Sequence, residues 1–78
     1  MAVKAYVLIQ TELGKSSQVS AEVARLEGVI SALDVTGPYD VIVQAEADSI
    51  DQLGKLVVSR VQLTAGITRT LTCPIVNL

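Results

Sequence analysis

The run Thr36-Gly37-Pro38-Tyr39-Asp40-Val41-Ile42-Val43 constrains this chain more than any other. A β-rich segment ends in Gly-Pro, a Tyr-Asp pair follows, and a new apolar segment begins at once. Proline presets its own φ near about −65°, and glycine tolerates backbone angles that other residues avoid. The sequence therefore predicts a tight connection between two strands, with one aromatic ring and one carboxylate held at the sheet edge. Polar groups on a rigid loop at a strand end are well placed to meet a ligand. The same residues also suit a plain hairpin turn with a capping Asp.

Periodicity on either side of the turn supplies the remaining elements. Val3 to Gln10 alternates and is β-branched, which predicts a first strand with Val3, Ala5, Val7 and Ile9 on one face. After Gly14, Ser16 or Ser17 is a candidate N-cap for a helix reaching about Leu26, with Val19, Val23 and Leu26 as its buried stripe. Gly28 stops that helix. Val29 to Thr36 and Asp40 to Ala47 read as the second and third strands. Asp48 or Ser49 can cap a second helix with the stripe Ile50, Leu53, Val57 and Val61. Ile67 to Val76 reads as the fourth strand. Gly28-Val29 and Gly66-Ile67 repeat one pattern, a glycine and a β-branched residue between helix and strand. Two βαβ-like halves joined by a hairpin predict a ferredoxin-like α+β sandwich, βαββαβ, with a four-stranded antiparallel sheet and two helices on one face. With 78 residues the chain holds one domain, 1–78.

The other sheet face is the second constraint. If Val3, Ala5 and Val7 face the helices, alternation turns Lys4, Tyr6 and Leu8 away, with Ile42, Gln44 and Glu46, and with Thr68, Thr70 and Thr72. Such a face, part apolar and part polar, is expected to pack on a partner. Half of the residues are apolar in a chain too small for a comfortable monomer, which again predicts self-association.

Several kinds of chemistry have no residues to carry them. The chain has no histidine, which removes His-based metal sites, the Ser-His-Asp triad and the commonest general base. No cysteine cluster suits zinc and no glycine-rich phosphate loop occurs, so no metal and no cofactor is expected. The carboxylates do not form a spaced catalytic pair, and no catalytic residue is assigned. Net charge is −2 and the six basic residues are scattered, so no direct nucleic-acid binding is expected. The single Cys73 fits a reducing compartment and reads as a small buried hydrophobe in the fourth strand. No apolar run reaches the length needed to span a bilayer and no signal peptide is evident, so the expected location is cytoplasmic, without membrane contact. Thr70 and Thr72 place two hydroxyls on one face of a strand, a pattern that ordinary β propensity also produces.

Taken together, these residues resemble the effector-binding (RAM) domain of the Lrp/AsnC family of transcription regulators. The resemblance spans essentially the whole chain. It rests on Tyr6-Val7-Leu8-Ile9, Leu26-Glu27-Gly28-Val29, Thr36-Gly37-Pro38-Tyr39-Asp40, and Gly66-Ile67 followed by Thr70-x-Thr72. It implies dimers packed through their sheets and rings of dimers, commonly octameric or decameric. It also implies small effectors, typically amino acids, bound between dimers near the Gly-x-Tyr-Asp turn. Carried over by motif, Gly37, Tyr39 and Asp40 are the implied contact residues, with Thr70 and Thr72 near the same cleft. Asp40 suits an α-ammonium group, and backbone amides near Gly37 or threonine hydroxyls suit a carboxylate. Family members usually carry an N-terminal helix-turn-helix domain, whereas this sequence begins at the first strand of the effector domain. The resemblance thus implies a stand-alone version, able to act by co-assembling with full-length Lrp/AsnC regulators. Pro38 stands where the family often has an acidic or small residue. The rival classes are a small dimeric-barrel enzyme of monooxygenase or isomerase type, and a purely structural oligomerisation subunit.

Overall fold

Alternation in the first strand organises the whole molecule, which is described from a computed structural model covering residues 2–76. Strand β1 (Val3–Thr11) buries Ala5, Val7 and Ile9 completely on one side. It is followed by α1 (Ser16–Val23), β2 (Val29–Asp34), β3 (Val41–Ala47), α2 (Ile50–Leu56), a π-helical turn (Val57–Val61) and β4 (Ile67–Pro74). The sheet order is β2-β3-β1-β4, antiparallel throughout, so β1 and β3 are central. This is the expected ferredoxin-like βαββαβ arrangement. Residues 1, 77 and 78 of the expected domain span lie outside the described residues.

The core forms between one sheet face and the helical layer. Val19 and Val23 of α1, Leu53 of α2, and Val57 and Val61 of the π turn pack with Ala5, Val7, Ile9, Val41, Val43 and Ala45. Burying each such valine, leucine or isoleucine side chain contributes about 1.5–3 kcal/mol. The π turn keeps its stripe aligned. In an α-helix, positions four apart drift sideways by about 40°. The wider turn, closed by the bond from Gln62 N to Val57 O at 2.8 Å, offsets that drift, and Val57 and Val61 are both buried.

Local details differ from the sequence expectation for identifiable reasons. Helix α1 is not capped by Ser16 or Ser17. Lys15 occupies the cap position without a side-chain bond, while the Ser17 hydroxyl reaches Asp34 Oδ2 at 3.4 Å. The helix stops at Val23, though Leu26 still packs on the core from the following turns. Ser49 does cap α2, accepting from Gln52 N at 3.1 Å. Ile50, expected in the buried stripe, is 56% exposed because it sits at the outer edge of the first turn.

The largest correction concerns β4. Gln10 pairs with Arg69 but Thr11 pairs with Ile67, which leaves Thr68 in a bulge. One extra residue inverts the alternation beyond it. Thr70 and Thr72 therefore share a face with Ile9 and Val7, on the helical side, and do not turn away as expected. Leu71 and Cys73 take the open face instead. Cys73, expected to be buried, is exposed beside Tyr6.

The open face is consequently more apolar than the sequence suggested. Leu33, Ile42, Leu8 and Leu71 form one cross-strand row spanning all four strands. Ser31, Gln44, Tyr6 and Cys73 form the next. Leu33, Tyr6 and Leu71 are exposed.

Candidate functional site

The connection between β2 and β3 is longer than the sequence implied, because β2 ends at Asp34 and β3 starts at Val41. Its six residues are nevertheless fixed at several points. Asp40 N donates to Ile9 O at 2.9 Å, and Val35 N donates to Asp40 O at 2.9 Å. Gln10 Nε2 donates to Pro38 O at 3.0 Å. Gly37 has a φ of +126°, a conformation that glycine adopts without strain, and a side chain there would meet nothing within 4 Å. The requirement for glycine is thus one of backbone conformation. An unobstructed, exposed peptide at Gly37 is open to a ligand or to a neighbouring subunit.

Asp40 is tied into the fold. Its Oδ2 accepts from Thr11 N at 2.8 Å and from Thr11 Oγ1 at 3.4 Å. The carboxylate thereby caps the end of β1 and locks the β1–α1 connection to the turn. Oδ1 has no hydrogen bond among the described residues, so one oxygen remains to receive a ligand donor. Tyr39 beside it is half-buried. Gln10, Thr11 and Gln62 hold the turn and Thr70 by hydrogen bonds that the sequence reading passed over. Their only signal was a polar residue where an apolar strand or helix runs out.

Thr70 lies in the row Val41–Ile9–Thr70, at the same end of the sheet as the turn but with β1 between them. Its Oγ1 accepts from Gln62 Nε2 at 3.0 Å. Thr72 lies one row further toward the sheet centre, beside Val7. The fold thus brings Gly37, Tyr39 and Asp40 together and puts Thr70 at the same end, whereas Thr72 is set back. Thr70 lines a shallow depression of about 270 Å³ with Gln62, Ile67, Thr68 and Arg69. A larger groove, about 710 Å³, is at the opposite end of the sheet, and none of the five residues singled out in the sequence lines it. Among the described residues no group of three or more acidic, cysteine or histidine side chains could hold a metal. No helix among them is long and apolar enough to cross a membrane.

Comparison with known proteins agrees with the fold and the motifs. The chain is similar over its whole length to FFRP-DM1, with 28% identity and a TM-score of 0.89, covering 95% of this chain and 99% of that one. TTHA0845 from Thermus thermophilus superposes with a TM-score of 0.91 at 25% identity, covering 97% and 95%. The transcriptional regulator NMB0573 of Neisseria meningitidis, solved as a complex with L-Met, shares the fold at 17% identity and a TM-score of 0.83; the match covers 96% of this chain and 50% of the regulator. No curated protein matches the chain. The family model of the Lrp/AsnC ligand binding domain matches residues 4–77, and the chain belongs to that family.

Proposed function

We propose that this chain is a non-enzymatic regulatory module that binds a free amino acid or a related small molecule. The observation that carries this reading is the extent of the family match, residues 4–77, which includes the turn and both threonines. The L-Met bound to NMB0573 supports the ligand class. The site is centred on Gly37, Tyr39 and Asp40, with Thr70 and Thr72 toward its β4 side. Oδ1 of Asp40 receives the ammonium group as a charge-assisted hydrogen bond. Exposed peptide at Gly37 and the threonine hydroxyls serve the carboxylate.

The module works as an assembly in the cytoplasm. Two copies stack through the open sheet face, whose row Leu33–Ile42–Leu8–Leu71 is the apolar area to be covered. Dimers then associate at the turn end into an octameric or decameric ring, and the ligand fills the junction. Full-length Lrp/AsnC regulators are the partners through which occupancy would reach DNA. The whole of residues 1–78 forms this one effector-binding domain. The absence of histidine fits binding without turnover.

Thermal denaturation against the twenty amino acids tests the reading, with calorimetry on any that raise the midpoint. A ligand of the folded assembly stabilises it by RT ln(1 + [L]/Kd). Failure of every amino acid to raise the midpoint at millimolar concentration would return the chain to a purely structural role.

A further inference from the structure

The groove of about 710 Å³ falls within the size range of small-molecule sites and is far from the turn. Glu27, from the α1–β2 connection, Glu46, near the end of β3, and Asp48, just beyond it, contribute negative charge. Lys55 of α2 and Arg60 of the π turn contribute positive charge, and Val29 and Leu56 add apolar surface between them. Among the described residues, none of the five charged side chains takes part in a hydrogen bond of the fold. Both signs therefore line one concavity on exposed or, for Glu46, half-buried side chains, with no hydrogen bond joining them among the described residues.

Two further observations indicate a formed site. The base of the groove is pinned, because Glu46 N donates to Gly28 O at 2.8 Å. A Cβ at Gly28 would also meet Glu46 O and a Leu56 methyl at 3.1 Å, so loop, strand and helix touch there. Arg60 is carried on the π turn, and single π turns inside helices are frequent at functional sites.

We propose that this groove is a second small-molecule site, which takes a zwitterion such as a free α-amino acid. Lys55 and Arg60 hold its carboxylate, Glu27 and Asp48 its ammonium group, and Val29 and Leu56 an aliphatic side chain. The demand for one cationic and one anionic end rests on the groove alone; the choice of an α-amino acid rests on the function proposed above. Because the lining comes from the helical layer and the sheet end, stacking of two open faces leaves the groove accessible.

Residue-resolved NMR titration of the whole chain with each of the twenty amino acids tests this. At least one should shift the signals of Gly28, Val29, Lys55 and Leu56. The amine lacking its carboxylate and the acid lacking its amino group should each bind more weakly. Lys55→Gln combined with Arg60→Gln should weaken the groove shifts roughly 2- to 25-fold, as loss of two exposed charge contacts implies. Asp40→Asn should leave them unchanged. Shifts confined to residues 37–40 would overturn the groove site and keep the turn site. Shifts confined to the groove would keep it and move the effector away from the turn. No shifts with any amino acid would overturn both, as would groove shifts indifferent to the double substitution for the groove alone.

Discussion

The amide of Thr11 donates to Oδ2 of Asp40 at 2.8 Å, so the carboxylate that suits an ammonium ligand also closes the end of the central strand. Removing it should therefore have two effects, and two substitutions separate them. Asp40→Ala leaves the Thr11 amide without its acceptor and should destabilise the fold by about 1–3 kcal/mol. Asp40→Asn retains an oxygen acceptor but loses the charge. It should cost less stability while weakening amino-acid binding, roughly 10- to 150-fold for loss of a charge-assisted bond. Denaturant melts and calorimetry on both variants check this. Unchanged affinity in Asp40→Asn would take the carboxylate out of the site.

Thr70 contributes a neutral hydroxyl already bonded to Gln62. Thr70→Val should weaken ligand binding less than Asp40→Asn does, with circular dichroism unchanged. A loss larger than that of Asp40→Asn would shift the centre of the site across β1 to β4.

Association should depend on the open face. Leu8 sits in the middle of the row Leu33–Ile42–Leu8–Leu71 and is not among the core residues. Leu8→Lys puts a charge into that row and should lower the sedimenting mass at micromolar concentration. The unsubstituted chain should sediment as a dimer or larger. A folded monomer of the parent at the same concentration would refute the sheet-to-sheet dimer.

Gly54 gives a prediction of opposite sign. It lies within α2, and a Cβ there would meet nothing within 4 Å. Gly54→Ala should stabilise the chain by up to about 1 kcal/mol through helix propensity. A lower melting midpoint would mean that another subunit closely approaches this position.

The purified chain should not shift DNA at near-physiological salt, since non-specific affinity follows neutralised phosphates and the net charge is −2. Gel-shift or anisotropy measurements across salt concentrations check this. Tight, sequence-dependent binding would contradict it, whereas binding that appears only with a full-length regulator would support co-assembly.

Much of the fold was legible because the relevant residues admit one reading. Ala5, Val7 and Ile9 alternate through β1, and Leu53, Val57 and Val61 repeat every four residues, so their buried faces follow from spacing. The π turn itself was not legible, because a stripe of period four suits an α-helix equally well. Ser17 looked like a cap, but a serine near a helix start has several acceptors and donors in reach, and here it bonds Asp34. At the candidate site the constrained Gly37 was legible, but the partner of Asp40 was not. Thr11 is 29 residues away in the chain, and only strand pairing brings the two together.

The bulge at Thr68 acts as a parity switch for the last strand. Without it, Arg69 and the residues two and four beyond it would exchange sides with Thr70 and Thr72. The threonine hydroxyls would then enter the surface where two sheets are to meet, and Leu71 would press into the helical layer. Deleting Thr68 itself would keep the present assignment, because Ile67 would still face Thr11 and Arg69 would still face Gln10. The exchange follows only where Thr68 is drawn into regular pairing, so it is the bulge that keeps Thr70 beside Gln62 and Leu71 in the aliphatic row.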